Sequence, residues 1–238
     1  MTQYPVWLET EDSNYSFPDP VNALSDPNGL LAIGGDLSPE RIVIAYLNGI
    51  FPWYSPGEPI LWWSPDPRAV LFPEKLHISK SLRKIIRKKV FTTTINQAFE
   101  QVIAACAQTP RKTQDGTWIT DDMQQAYLNL HKIGIAHSAE CWLDGQLVGG
   151  LYGIALGKVF FGESMFSHKS NASKVAFVHL LDELKKNNYY LIDCQVTTEH
   201  LLSLGAEEIP RDLFLKLITQ HTRSFIDNKN QKDTLFQR

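Results

Sequence analysis

Three polar residues stand where a strand is ordinarily apolar. Residues 158–166 read KVFFGESMF, a β-rich run interrupted by Glu163. Residues 191–196 read LIDCQV, where an extended chain puts Asp193 and Gln195 on one face and Ile192, Cys194 and Val196 on the other. Burying a carboxylate or an amide is costly unless it is paired. Each run is therefore either an edge strand with a solvated face or the wall of a polar pocket. Two carboxylates in one pocket repel unless the pocket is built to hold a cation. The chemistry this suggests is capture of an amine. Cys194, on the opposite face, reads as core rather than as a nucleophile.

The elements around these runs bring them together. DDMQQAYLNLHKI reads as a helix capped by Thr120 and stopped at Gly134. Three strands follow, about 136–143, 146–155 and 158–166, joined by Asp144-Gly145 and Leu156-Gly157 turns. NASKVAFVHLLDELKKNN reads as an amphipathic helix, YYLIDCQV as a strand and PRDLFLKLI as a last helix. A helix between strands 158–166 and 189–196 makes a crossover connection, so these strands are expected to be parallel and close. The Glu163 and Asp193 runs then border one pocket.

Texture divides the chain near residue 73. Residues 1–73 are rich in Pro, Gly and Trp and hold one clear helix, RIVIAYLN, with Ser38 as N-cap, Pro39 at its first position and Gly49 at its end. The rest of that region reads as turns. Residues 74–238 alternate helices and strands, including ISKSLRKIIRKK, FTTTI (91–95) and QAFEQVIAACAQ (97–108). The expected class is α+β: a small N-terminal domain over 1–73 and a larger one with a mixed sheet over 74–238.

Composition sets outer limits. The 238 residues carry a formal net charge of −3, with 43% hydrophobic and 21% charged residues, as in an ordinary globular protein. Three cysteines without a CxxC pair argue against a disulfide framework or a zinc site. MTQYPVWLETED has no basic region followed by an apolar stretch, and no apolar run approaches the roughly 20 residues that span a bilayer. The expectation is a cytoplasmic protein with no membrane contact. The seven histidines form no ligand spacing, so no metal is expected.

Two surface features carry further expectations. Trp53 and Trp118 lie in loop-like sequence, FPWYS and GTWIT, where each is either an interdomain wedge or a pocket wall. Lys80, Arg83, Lys84, Arg87 and Lys88 form a basic helix face hardly opposed by acids. Such a face is either simply solvated or a seat for an anionic partner such as an RNA backbone.

Long stretches resemble one family. PNGLLAIGGDLSPERIVIAYLNGIFPWYSPGEPILWWSPDPRAVL, GTWIT, GGLYGIALGKVFFGESMFSHKSNASK, LIDCQV and SLGAEEIPR are similar to the leucyl/phenylalanyl-tRNA–protein transferases, from about Phe17 to Ile218. The resemblance implies transfer of Leu or Phe, and less readily Met, from aminoacyl-tRNA to proteins beginning with Arg or Lys, which marks them for proteolysis. It implies a small N-terminal domain followed by an acetyltransferase (GNAT)-like domain, which matches the texture break and the strand order. It implies that Asp193 and Gln195 act on the attacking amine and that Glu163 lies near the acceptor peptide. Trp53 and Trp118 would wall the side-chain pocket, with Leu151, Phe160, Ser164, Leu180 and Leu184 as further substrate-binding positions. Leu151, Leu180 and Leu184 stand where the family is expected to carry Met or Phe.

An aminoacyl ester is already activated, so no cofactor is expected. Full proton transfer from an α-amine to an ordinary aspartate is uphill by about four pKa units, roughly 5 kcal/mol. The expected work of Asp193 is therefore to hold Gln195, which aligns the neutral amine, with Glu163 and Asp193 receiving the acceptor's cation. Two rivals stand beside this reading. A coenzyme-A-dependent acetyltransferase needs a glycine-rich phosphate loop, and SHKSNASK has no glycine. A non-enzymatic RNA or peptide binder would need the basic helix but not the Asp193 and Gln195 pair.

Overall fold

The computed structural model describes residues 4–12, 14–109 and 119–227. The N-terminal part holds a four-stranded sheet of β1 (Val6–Leu8), β2 (Leu30–Gly34), β3 (Phe51–Pro52) and β4 (Leu61–Trp63), in the order β1-β2-β4-β3. Helix α1 (Pro39–Leu47) starts as its sequence dictates. The Ser38 hydroxyl accepts from the Arg41 N–H, and Pro39 takes the first position. The sheet is a correction to the expectation of turns outside α1. Strands of two to five residues are too short for period-2 alternation to register, and they are recognised only by their partners.

The larger sheet runs β11-β5-β10-β9-β8-β7-β6. Its strands are β5 (Arg68–Leu71), β6 (Thr92–Ile95), β7 (Ala136–Leu143), β8 (Gln146–Leu156), β9 (Val159–Ser167), β10 (Leu191–Gln195) and β11 (Glu207–Ile209). The change of sheet falls between Trp63 and Arg68, a few residues before the change of texture at 73. The β7–β8–β9 meander is antiparallel, with Asp144 and Gly145 both at positive φ in the first turn. β10 pairs parallel to β9 and antiparallel to β5. The crossover expected from sequence is thus present, and the class is α+β with a mixed sheet flanked by helices.

The remaining helices cover both faces. They are α2 (Lys80–Arg87), α3 (Phe99–Gln108), α4 (Asp121–Lys132), α5 (Ala172–Lys186), α6 (Glu199–Ser203) and α7 (Arg211–Asp227). One buried cluster joins α2 and α5 to Leu71, Leu151, Ala155, Phe160 and Ile192 of the sheet. The other joins the opposite face, through Val70, Tyr152, Ile154 and Phe161, to α1, α3, α4, α7 and the small sheet's Leu31 and Trp62. The N-terminal part therefore shares its core with one face of the larger sheet. Trp62 is fully buried there, and its indole N–H donates to the Gly34 carbonyl at 2.9 Å.

The β8–β9 pair is tightest at Gly153. A Cβ at that position would meet the Phe161 carbonyl oxygen at 2.2 Å and the Phe160 ring at 2.7 Å, and neither can move without disturbing the strand pair. Gly153→Ala is expected to lower stability by about 1–3 kcal/mol, the usual cost of overpacking. A urea denaturation midpoint unchanged from the wild type would contradict this packing.

Candidate active site

The β9–β10 pairing ends at Phe161 and Asp193, and Glu163 and Gln195 each stand two residues beyond it. Both strands are also irregular at this point. Along β9 the register with β8 jumps from Gly162 to Ser164, leaving Glu163 without a cross-strand partner. Along β10 the register with β5 jumps from Asp193 to Gln195, and Gln195 adopts a φ of +62°. Bulges of this kind re-aim side chains out of the alternating pattern. The β9–β10 register sets Glu163 opposite Gln195 beside these bulges, and Gln195 Nε2 donates to Glu163 Oε1 at 3.0 Å.

Asp193 finds its cation inside the protein. Arg68 Nε and Nη2 donate to its two carboxylate oxygens at 2.8 and 2.7 Å, and both side chains are fully buried. The Gln195 backbone N–H also donates to Asp193 Oδ1 at 2.9 Å, which secures the unusual turn at Gln195. Arg68 Nη1 reaches the Gly49 carbonyl at 3.1 Å, and the guanidinium lies between the rings of Phe51 (4.8 Å) and Phe214 (4.6 Å). The geometry therefore corrects one expectation: Asp193 is neutralised by Arg68 and does not stand open to a substrate cation. Its visible work is to hold the Gln195 backbone.

Glu163, unlike Asp193, keeps some exposure, and it accepts from three side chains. Tyr46 donates at 2.6 Å, Tyr127 at 2.9 Å and Gln195 at 3.0 Å. The two tyrosine oxygens are 2.7 Å apart. Burial is the main influence on its carboxyl and pushes it up to about 7, with the Asp193 charge adding to the rise; the Tyr46, Tyr127 and Gln195 bonds pull the other way. Burial, then the Glu163 charge, holds both phenols well above their usual range. Cys194 is half-buried against the cluster beneath α5, and its surroundings likewise raise its thiol far above the ordinary value, unlike a reactive nucleophile.

The other sequence-selected residues fall into separate places. Leu151, Phe160, Leu180 and Leu184 are buried in the cluster beneath α5, apart from the cluster that holds Tyr46 and Tyr127. Ser164 is buried on β9 beside Glu163. Trp53 is exposed near the small sheet, its ring 5.8 Å from Trp63, whose indole N–H donates to the Trp53 carbonyl. Trp118 lies outside the described residues. Lys80, Arg83, Lys84, Arg87 and Lys88 are all exposed along α2, and none has an ion-pair partner among the described residues. No group of three metal-ligating side chains occurs among the described residues, and no described helix is long and apolar enough to cross a membrane.

Sequence reasoning missed Arg68, Tyr46 and Tyr127. Arg68 had a signal: in SPDPRAVL a lone cation opens an apolar strand, which demands a buried anion as strongly as Asp193 demands a cation. The tyrosines had none, since a Tyr on the apolar face of an amphipathic helix reads as core.

Most of the chain matches one family of known proteins. Residues 70–219 match the leucyl/phenylalanyl-tRNA protein transferase family, and residues 35–66 match the N-terminal domain of the same family. A leucyl/phenylalanyl-tRNA–protein transferase of Saccharophagus degradans is 57% identical over 219 residues, 92% of this chain and 89% of that one. Those of Stutzerimonas stutzeri (56%, 91% and 94% covered) and Azotobacter vinelandii (58%, 87% and 91% covered) are as similar. Solved structures overlap more loosely. L-PGS from Bacillus licheniformis has a TM-score of 0.39 and 14% identity, covering 71% of this chain and 54% of its own. A GCN5-related N-acetyltransferase from Kribbella flavida has a TM-score of 0.37 and 10% identity, covering 71% and 59%. The protein is an aminoacyltransferase. It belongs to the leucyl/phenylalanyl-tRNA–protein transferase family.

The buried ion pair can be tested without substrate. Arg68→Met leaves the Asp193 charge uncompensated and is expected to cost about 3–5 kcal/mol in stability. Adding Asp193→Asn removes that charge and is expected to recover most of the deficit. Urea titration of the two variants decides, and a double variant as unstable as the single one would refute the pairing.

Proposed function

We propose that this protein transfers Leu or Phe, and less readily Met, from aminoacyl-tRNA to the N-terminal α-amine of proteins that begin with Arg or Lys. The modified proteins would then be degraded, in the cytoplasm, by an ATP-dependent protease. The observation that carries the reading is the Glu163–Gln195 contact just beyond the end of the β9–β10 pairing, in a chain of this family.

The chemistry follows from the groups present. The acyl ester brings its own activation, so the protein has to place an amine against a carbonyl carbon, and such placement supplies about 7–11 kcal/mol. Glu163 is the acidic group that meets the acceptor's cation, because Asp193 is occupied by Arg68. Gln195 gives its Nε2 hydrogen to Glu163, which leaves its side-chain oxygen to accept from the amine and set the line of attack. The Arg68–Asp193 pair acts through Gln195 by holding its backbone. Trp53 and Trp118, with Leu151, Phe160, Ser164, Leu180 and Leu184, are the positions assigned to the transferred side chain and its surroundings. The exposed cations of α2, Lys80, Arg83, Lys84, Arg87 and Lys88, support docking of tRNA phosphates with little base reading. A monomer is sufficient for each of these steps.

Transfer of labelled leucine from Leu-tRNA to two peptides, one beginning with Arg and one with Ala, tests the reaction. Label on the Arg peptide alone is expected; equal labelling of both would remove the acidic acceptor site. Replacing Arg83, Lys84 and Arg87 by Ala is expected to weaken tRNA binding and to flatten its dependence on salt, by about one unit of log–log slope for each phosphate no longer neutralised. A salt slope identical to that of the wild type would detach α2 from tRNA binding.

A further inference from the structure

We propose that Glu163, Tyr127 and Tyr46 form a closed hydrogen-bonded ring whose third hydrogen is the proton given up by the acceptor's α-amine. The inference rests on the transfer reaction just proposed and identifies where that reaction puts its proton.

Counting hydrogens leads to it. The three groups make a triangle of oxygen contacts: Tyr46 to Glu163 Oε1 at 2.6 Å, Tyr127 to Glu163 Oε2 at 2.9 Å, and Tyr46 to Tyr127 at 2.7 Å. Each side needs one hydrogen. The two phenols supply two, and an ionised carboxylate supplies none. With Glu163 ionised and both phenols aimed at it, two tyrosine oxygens face each other at 2.7 Å with no hydrogen between them. One added proton completes all three sides.

Gln195 sets the direction of the ring. Its Nε2 donates to Oε1, the same oxygen that faces Tyr46, so Oε1 is an acceptor twice over. The added proton therefore sits on Oε2 and is donated to Tyr127. Tyr127 donates to Tyr46, and Tyr46 returns its hydrogen to Oε1.

The groups that face Glu163 make the carboxyl the member that titrates. Tyr46 comes from α1, Tyr127 from α4 and Tyr152 from β8, its ring edge-on to Tyr127 at 5.4 Å. From β10 come Gln195 and Asp193, and Asp193 is paired with Arg68 of β5. Both ring phenols are held well above their usual range by burial and the nearby carboxylate, so they stay protonated near neutrality. The Glu163 carboxyl, raised to about 7, lies about one unit below an ordinary α-amine, whereas an ordinary aspartate lies about four below.

The step balances. The acceptor arrives as an ammonium, and Glu163 takes one proton, leaving a neutral amine and a neutral carboxylic acid. The amine's lone pair forms the new N–C bond at the ester carbonyl. As the C–O bond to the tRNA ribose breaks, a second proton passes from that nitrogen to the departing oxygen, giving an amide and an alcohol. The proton held on Glu163 leaves to solvent when the product departs.

Glu163→Gln tests the ring, because a glutamine side chain carries both the acceptor and a permanent N–H donor. In the wild type the folded protein holds the Glu163 proton more tightly than the unfolded chain does. Stability from this group is thus lost as pH rises between about 4.5 and about 7. Thermal melts of the full chain at pH 5 and pH 8 should show the melting temperature of Glu163→Gln gaining on the wild type by about 4 °C or more over that interval. Adding Tyr127→Phe to Glu163→Gln should lower the melting temperature by about 2 °C or more at both pH values, since the amide hydrogen then has no acceptor. A melting temperature unchanged by loss of the Tyr127 hydroxyl in that background would overturn the ring, as would no gain at all over the pH interval. In transfer to the Arg peptide, the wild type should show an acid limb near pH 7 in kcat/KM. Glu163→Gln should lack that limb and fall about 100-fold or more. An unshifted limb in this variant would overturn the proton assignment. Absence of any transfer by the wild type would sink the proposed reaction instead, while leaving the melting comparison to judge the ring by itself.

Discussion

The buried Arg68–Asp193 pair is the constraint on which the rest of the site depends. Two full charges with no exposure are tolerable only if each is met by the other with good geometry and by further hydrogen bonds. Both conditions hold here. The pairing is bidentate, and the surplus donors and acceptors go to the Gly49 carbonyl and the Gln195 N–H. Arg68 also touches Phe51 of the small sheet and Phe214 of α7, so one guanidinium draws three parts of the chain to the same point. An error in the packing of any of them would leave a charge facing an apolar interior.

Two strand irregularities lie next to this pair. Continuing the Phe161–Asp193 register of the parallel β9–β10 pair sets Glu163 opposite Gln195 on one face. The register shifts against β8 and β5 and the left-handed backbone at Gln195 fall at this point, and the two side chains meet at 3.0 Å. A residue other than glycine at positive φ is mildly strained, and the Asp193 side chain holds it in place from below. The result is a graded set of carboxylates: Asp193 sealed against a guanidinium, and Glu163 at the rim among phenols with its proton affinity raised. Environment, rather than residue type, divides their duties.

Much of this was legible in the chain and some was not. The helices with caps and amphipathic faces, the Asp144-Gly145 hairpin and the parallel β9–β10 crossover all have local causes and were readable one by one. The four short strands of the small sheet were not, since each consists of two to five residues and acquires its identity only by pairing. At the site, Glu163, Asp193 and Gln195 announced themselves as polar residues in apolar strands. Their partners did not, because Arg68 is 125 positions from Asp193 and Tyr46 is 117 from Glu163.

By itself, then, the sequence determined the capped helices, the Asp144-Gly145 hairpin, the crossover and the presence of an unpaired-looking acid in each of two neighbouring strands. These follow from local propensity, periodicity and the rule that a charge in an apolar run must find a partner. Which partner each acid found was decided only by the tertiary structure. The cation that Asp193 meets proved to be Arg68, and Glu163 proved to be the acid that keeps some exposure. The physical reason is that hydrogen bonds and ion pairs are set by distances of about 3 Å. No pattern along a chain specifies distances of that size between residues a hundred positions apart, and only the packing of α1, α4, β5, β9 and β10 around one another does so.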